Sequence, residues 1–419
     1  MTRTARVASL FLGLVPFAAP RLGAGEAKPG PWWPRFHGPK HDNISPDTGL
    51  LKQWPENGPP LAWKFSECGK GYAGVAIADG LLYTAGDFGD VECLFALDLD
   101  GQLAWKAENG KAWKGAYPGA RTTPTYDDGV LYHMNPHGRL ATFEAKTGKE
   151  LWAVDFRKDY GAQPGTWGLA ESIVIDGDKV ICAPGGEKAR FAALDKKTGK
   201  LLWANTDFPE GAAYCTGVMA THKGVRQFIT IMQRTLVGVE AESGRVLWTH
   251  PHTTQHCQNV TMPVFFDGFV AASSGHGTGT RVLKLADDSR SVTELWLGKE
   301  LDNCHGGIAL VDGYIYGHGC RLYGRGFVCV EFETGKVMWA EKALNKLSFT
   351  VADGLLYGTN ERAQVFLVDA KPTGCRVLSQ FTIPKKTSEQ TLYHPVVCGG
   401  RLYLRHWDEL FVYDVRAGR

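Results

Sequence analysis

The 419-residue chain is poor in long apolar runs. Beyond Ala19 no stretch approaches the ~20 apolar residues that a membrane-crossing helix needs. An excess of charge of one sign is also missing. Lys plus Arg number 46 and Asp plus Glu 44, a net +2, with the basic residues scattered. That excludes the basic stripe by which a protein follows a phosphate backbone, so no nucleic-acid partner is expected. No segment holds a 3.6-residue apolar period over three turns, which excludes a helical solenoid. The ten cysteines lack the close spacing of a small disulfide framework. Cys93, Cys182, Cys329 and Cys398 stand singly inside apolar strands and read as small buried hydrophobes. No nucleophile–base–acid set stands out.

What the chain has in quantity is glycine, 51 residues, and tryptophan, 13 residues. Both follow from a repeat. Its cleanest copy is Ala192-Ala193-Leu194-Asp195-Lys196-Lys197-Thr198-Gly199-Lys200-Leu201-Leu202-Trp203, which reads as strand, tight turn, strand, closing on a large aromatic. Acid, Gly and Trp recur in the same register at Glu144, Gly148 and Trp152, at Glu240, Gly244 and Trp248, and at Glu331, Gly335 and Trp339. Asp98, Gly101 and Trp105 make a copy one residue shorter. The copy ending at Trp296 loses its Thr-Gly, and the copy with Asp369 and Gly374 has Leu378 where Trp would stand. Eight further turns separate shorter apolar strands: Asp79-Gly80, Asp128-Gly129, Asp176-Gly177, Lys223-Gly224, Asp267-Gly268, Asp312-Gly313, Asp353-Gly354 and Gly399-Gly400.

A period in the forties with four short strands per copy predicts propeller blades. The expectation is an all-β, eight-bladed β-propeller of four-stranded antiparallel blades over residues 60–416. The last copy stops before its Trp strand, whereas Pro60-Leu61-Ala62-Trp63-Lys64-Phe65 precedes the first full copy. The N-terminal strand is therefore expected to complete the last blade and remove the exposed edges. Ahead of it, residues 28–59 read as an extended arm rich in Pro and Trp, packed over a face or edge of the body. Residues 1–27 read as a secretory signal: Arg3 and Arg6, an apolar run from Val7 to Ala19, then small residues at Gly23, Ala24, Gly25 and Ala27. A periplasmic or extracellular monomer is expected.

The unit acid-x-x-Thr-Gly-Lys-x-x-Trp resembles the quinoprotein-type, or PQQ-like, repeat. The arm, with Trp33-Pro34-Arg35-Phe36-His37-Gly38-Pro39, Gly49-Leu50-Leu51 and Trp54-Pro55, resembles that of secreted PQQ-like repeat proteins of planctomycete-type bacteria. The repeat builds the propellers of pyrroloquinoline quinone (PQQ) dehydrogenases and also non-enzymatic assembly scaffolds of the BamB type. It therefore implies fold more than function.

Repetition makes the repeated residues architectural, so function is expected where copies differ. Residues entering each innermost strand should ring the channel mouth: Tyr72, Arg121, Trp167 with Glu171, Tyr214-Cys215, His256 to Asn259, Asp302 to His305, Ser348 and Tyr393-His394. A binding platform for a protein, peptide or glycan is the first expectation. The alternative implied by the resemblance is a PQQ- and calcium-dependent alcohol or sugar dehydrogenase. In that reading Glu171 and Asn259 hold calcium, Asp302 is the catalytic base, and Arg121, Trp167, His305 and His394 contribute to cofactor binding. Against it, the adjacent Cys-Cys pair of that family is absent, as is a Cys-x-x-Cys-His haem motif. A third possibility is a soft-metal site among Cys215, His256, Cys257, Cys304, His305, His318, Cys320 and His394. A disulfide from Cys304 to Cys320 or Cys257 competes with it.

Overall fold

The computed structural model describes residues 30–320 and 326–418. The expected signal peptide lies outside the described residues. Eight sheets follow one another along the chain, six of them with four strands in sequence order and two that also take in a strand from near the N-terminal arm. Blade one is Ala76–Ala78, Leu81–Phe88, Val91–Asp98 and Leu103–Lys111, all antiparallel. Among the described residues helix is confined to Phe156–Tyr160 and a 3-10 turn at Gln255–Cys257. The first two strands of each blade meet through a two-residue turn with φ > 0, which Asp-Gly accommodates. Blade three departs from expectation. Asp176 pairs with Lys179, so its turn is Gly177-Asp178, one residue later than the Asp-Gly pattern indicates.

The ring closes as the sequence requires. Leu61–Phe65 is the outer strand of the blade built from Val396–Cys398, Arg401–His406 and Glu409–Asp414. Its Trp63, Lys64 and Phe65 pair with Val412, Phe411 and Leu410. Lys64 Nζ reaches the buried Glu409 carboxylate at 2.5 Å. Behind this seam lies Arg405, 1 % exposed, with no carboxylate partner among the described residues. Its Nε donates to Trp407 O, Nη1 to Ala73 O, Thr84 Oγ1 and Ala85 O, and Nη2 to Cys68 O and Gly69 O. One guanidinium from blade eight thus satisfies a nest of blade-one oxygens.

The repeated Trp links each blade to the next. Trp152 Nε1 donates to Lys196 O at 3.2 Å, Trp203 Nε1 to Ala241 O at 3.1 Å and Trp296 Nε1 to Phe332 O at 2.8 Å. The indole lies on the Gly of the next copy. A Cβ on Gly199, whose φ is +71°, would stand 2.5 Å from the Trp152 ring. Gly is required there twice over, for its backbone and for the contact. The acid fixes the same turn: Asp195 Oδ1 accepts from Thr198 N at 2.8 Å and Thr198 Oγ1 at 2.7 Å. Blade five has no Thr-Gly to offer, and Trp248 turns instead to Gln227 Oε1 of its own blade. Losing one such indole is expected to cost roughly 3–5 kcal/mol.

The arm closes one end of the channel. Trp33 and Ile77 exchange two backbone bonds of 2.8 Å, and Tyr126 N donates to Pro34 O. Ile44–Ser45 adds a fifth, parallel strand to the inner edge of blade seven, beside Val351 and Ala352. Asn43 accepts from Thr350 Oγ1 and donates to Phe349 O. Leu50 N reaches the Asp353 carboxylate, and Gly400 N reaches that of Asp47. The contacts of Trp33, Leu50 and Asp47 lie at the turn end of the inner strands, and Asn43 reaches further along, to Phe349 and Thr350. The opposite end, where connections enter those strands, is the mouth.

Candidate ligand site at the channel mouth

Each connection from an outer strand to the next inner strand delivers one or two side chains to the same central space. The result is a cavity of about 240 Å³. Its floor is the arm, through Trp33, Phe36, His37 and Asn43, and its walls come from the blades. Hydroxyls tie the blades together around it: Thr123 N donates to Ser172 Oγ, Ser172 N to Thr216 Oγ1, and Thr261 Oγ1 to Asn303 Oδ1.

One wall is cationic and aromatic. Arg121 lines the cavity with Tyr72, Tyr117, Trp167 and Tyr214. Its Nη1 donates to Trp167 O and its Nη2 to Tyr117 O, and the guanidinium stands 5.4 Å from the Trp113 ring centroid. No carboxylate forms an ion pair with it among the described residues; burial pulls it down to about 10 against the weaker fields of Glu92 and Asp87, so it is still charged at neutral pH. Its Nε and the Tyr72 hydroxyl have no hydrogen-bond partner in the protein. Burial pushes the Tyr72 phenol up to about 12, so it remains a donor. Trp167 meets Tyr214 edge-on at 5.3 Å.

The facing wall is polar and already compensated. Glu361 accepts from His305 Nε2 at 3.1 Å, Lys346 Nζ at 2.6 Å and Gln390 Nε2 at 3.2 Å. Burial alone would raise its carboxyl, but the His305 and Lys346 bonds prevail and hold it at about 2. His394 Nε2 lies 2.8 Å from His305 O and must donate to it, so its Nδ1 accepts from His37 Nε2 at 3.1 Å. Burial keeps both rings neutral, His394 at about 4 and His37 well below the usual imidazole range. This pair ties the arm to blade eight inside the cavity.

The seven residues singled out from the sequence divide. Arg121, Trp167, His305 and His394 line the cavity; Glu171, Asn259 and Asp302 are absent from its lining and are engaged within the blade walls. Glu171 Oε2 accepts from Ala183 N at 2.8 Å, and burial pushes its carboxyl up to about 8, so it is a neutral acid at pH 7. Asn259 Nδ2 donates to Met232 O, Gln233 O and His252 O, and its Oδ1 accepts from Ser274 Oγ. Asp302 accepts from Gly277 N and Cys320 N. Asn259, an amide with both ends bonded, has no free oxygen to offer a hard dication, while Glu171 keeps one oxygen, Oε1, without a hydrogen-bond partner. The residues that the quinoprotein resemblance assigns to calcium, Glu171 and Asn259, thus stand off the cavity lining. Cys215, Cys257 and His256 do not join a metal cluster among the described residues, and Cys304 is disulfide-bonded to Cys320. Sequence reasoning missed Tyr117, Glu361, Gln390 and the whole arm contribution. The missed signal in the arm was His37, an imidazole directly after the aromatic run Trp32-Trp33-Pro34-Arg35-Phe36.

Comparison with known proteins agrees with the fold. The model of the outer membrane protein assembly factor BamB family matches residues 94–341, more than half of the chain. The chain belongs to this family of propellers built on the PQQ-like repeat. Its relatives include the quinohemoprotein alcohol dehydrogenase ADH-IIG of Pseudomonas putida, 30% identical over 196 residues, 44% of this chain and 26% of that protein. They also include BamB of Moranella endobia, 22% identical over 271 residues, 59% of this chain and 64% of that protein. The chain spans about a quarter of the length of the quinoprotein dehydrogenases it matches. Among solved structures, BamB from Moraxella catarrhalis superposes with a TM-score of 0.60 at 14% identity, covering 85% of this chain and 99% of that one. A europium-containing methanol dehydrogenase does so with a TM-score of 0.66 at 13% identity, covering 90% of each. At such identity the likeness concerns fold alone.

Proposed function

We propose that this chain is an exported, monomeric binding propeller that seats the carboxylate end of a ligand at its channel mouth. The observation that carries the reading is Arg121: a charged guanidinium on the cavity wall, bonded to carbonyls, with no direct ion pair among the described residues. A carboxylate arriving there gains charge-assisted bonds in a partly desolvated site, and the rings of Trp167, Tyr72 and Tyr214 supply a surface for a flat or apolar body. The aromatic C-terminus of a peptide and a uronic acid of a glycan share this chemistry. Assembly-factor relatives are consistent with a partner-binding role. Among the described residues no helix is long and apolar enough to cross a membrane.

The dehydrogenase reading rests on the quinoprotein relatives and on Arg121 and Trp167, which suit a flat anionic ring. The metal residues it would use, Glu171 and Asn259, and its base, Asp302, lie off the cavity lining. The test is titration of the full chain with N-acetyl-tyrosine, N-acetyl-tyrosinamide and glucuronate, followed by tryptophan fluorescence. The carboxylate form of the peptide mimic or the uronate should bind, the amide should bind at least tenfold more weakly, and Arg121→Gln should abolish the difference. Equal response to acid and amide would overturn the reading.

A further inference from the structure

We propose that Asp87 and Glu92 form a proton-sharing pair behind Arg121, and that protonation of this pair strengthens the hold of the mouth on a carboxylate. This regulation rests on the carboxylate reading of Arg121. The two acids stand directly opposite each other in the hairpin of Leu81–Phe88 and Val91–Asp98, at the mouth end of blade one. Residues so paired share one face of the sheet with Cβ atoms about 4.5–5.5 Å apart, and like charges there repel.

Both side chains are buried, and each carboxyl group is half used. Asp87 Oδ2 accepts from Trp113 N at 2.9 Å, and Glu92 Oε1 lies 3.0 Å from His133 Nε2. Asp87 Oδ1 and Glu92 Oε2 take no hydrogen bond from the described residues. Ionised carboxylates only accept, so neither of these oxygens can satisfy the other. A single proton on Asp87 turns it into a donor toward Glu92 and satisfies both. Burial, and after it the Glu92 charge, push Asp87 up to about 7, so the proton comes and goes near neutral pH.

The pair is joined to the mouth by short links. Asp87 and Lys70 exchange backbone bonds of 2.9 and 2.8 Å, Ala120 N donates to Lys70 O, and Tyr72 N donates to Ala120 O. Trp113, whose N rests on Asp87, places its ring 5.4 Å from the Arg121 guanidinium. Arg121 Nε is buried without a hydrogen-bond partner, and the Glu92 and Asp87 charges both act on the guanidinium. The other groups around Asp87 are the buried Arg405, which favours its charge, and the Cys93 thiol, pushed up to about 11 and neutral. His133 lies beyond Glu92, and Lys70 meets Asp87 through the backbone. With both acids ionised, a ligand carboxylate is the third negative charge to approach Arg121; with the proton in place it is the second. The ligand therefore prefers the protonated pair, and by reciprocity its binding draws a proton in.

The experiment measures the affinity of the full chain for N-acetyl-tyrosine and for glucuronate at pH 6 and pH 8. Proton uptake is read by calorimetry in two buffers of different ionisation enthalpy. Binding should be about fivefold weaker at pH 8, as an about tenfold coupling of proton and ligand gives for a group titrating near 7, and should take up a fraction of a proton. Asp87→Asn copies the protonated acid, with an amide donor toward Glu92 and an oxygen for Trp113 N. It should bind equally at both pH values, as tightly as the parent at pH 6; Glu171, which also titrates in this range, is unchanged in it. A second readout needs no ligand: carboxyl carbon NMR should show a transition near pH 7 that is lost in Asp87→Asn and moves to higher pH in Arg121→Gln. Equal parental affinity at pH 6 and pH 8 without proton uptake, or a carboxyl transition unmoved in Arg121→Gln, would overturn the proposal. Failure of both probes to bind at either pH would overturn the carboxylate reading, and this regulation with it, whatever the carboxyl titration shows.

Discussion

Arg405→Met removes the guanidinium at the seam where blade eight meets blade one. The side chain is buried and makes six hydrogen bonds, five of them to oxygens of blade one and the connection before it. Methionine matches much of the volume, so the cavity term is small. The cost comes from the carbonyls of Cys68, Gly69, Ala73 and Ala85, which lose the guanidinium as a donor. Each buried polar group left unpaired costs about 1–3 kcal/mol, not additively, because neighbours relax and water enters. Removing one partner of a buried charged network typically costs about 3–5 kcal/mol, and that is the expected loss here. Against a typical total of about 5–15 kcal/mol, this is a large fraction. The measurement is urea denaturation followed by circular dichroism, with the midpoint falling and the slope unchanged. Arg405→Lys keeps the charge without the planar fork and should fall between. A loss below about 1 kcal/mol for Arg405→Met would refute the clamp, and with it the idea that the ring is locked at this seam by satisfied oxygens.

Deleting Leu61–Phe65 exposes the Glu409–Asp414 edge and removes Lys64 from buried Glu409; a sharply lower melting temperature and concentration-dependent aggregation are expected, and an unchanged melt would contradict closure. His394 falls from 6.5 in the unfolded chain to about 4 in the folded one. A depressed imidazole contributes stability above pH 6.5 that is lost as pH drops through about 4, worth roughly 3 kcal/mol. Stability should therefore decline from pH 7 to pH 4, less steeply in His394→Gln, although His41, His252 and His318, each held at about 3, titrate in the same direction. Glu171 is raised from 4.5 to about 8, so its contribution is full below pH 4.5 and lost as pH rises through 8. Glu171→Gln keeps an oxygen for Ala183 N and should be more stable than the parent at pH 9 by a few kcal/mol, with little difference at pH 5; equal pH profiles would argue that Glu171 is charged and paired.

The architecture was legible because it is written eight times. The unit ending at Trp203 states both partners of the blade contact: the indole, and in the next copy the Gly244 it rests on. The site was legible only in part, for a reason of geometry. Successive residues entering an inner strand point alternately into the channel and into the wall. Sequence reasoning placed these stretches correctly, then chose within them by residue type, favouring the carboxylates and amide that could hold a metal. Those same types pin backbone amides and carbonyls inside a wall, which is what Glu171, Asn259 and Asp302 do. Their neighbours Ser172 and Gln258 line the cavity instead. Glu361 was missed because it belongs to the turn after the second strand of blade seven, away from the connections that enter the inner strands. The arm was missed as a floor because nothing in it repeats, and its fit is visible only against Ile77, Tyr126 and Val351.

The central claim is that the cavity recognises a carboxylate through Arg121 without a metal. The most direct measurement is the dissociation constant of N-acetyl-tyrosine, or of glucuronate where that is the probe bound, in calcium and again in EDTA, for the parent chain and Arg121→Gln. The account predicts binding that is unchanged by EDTA and lost with Arg121. Binding that appears only with calcium, or that persists undiminished in Arg121→Gln, would contradict it.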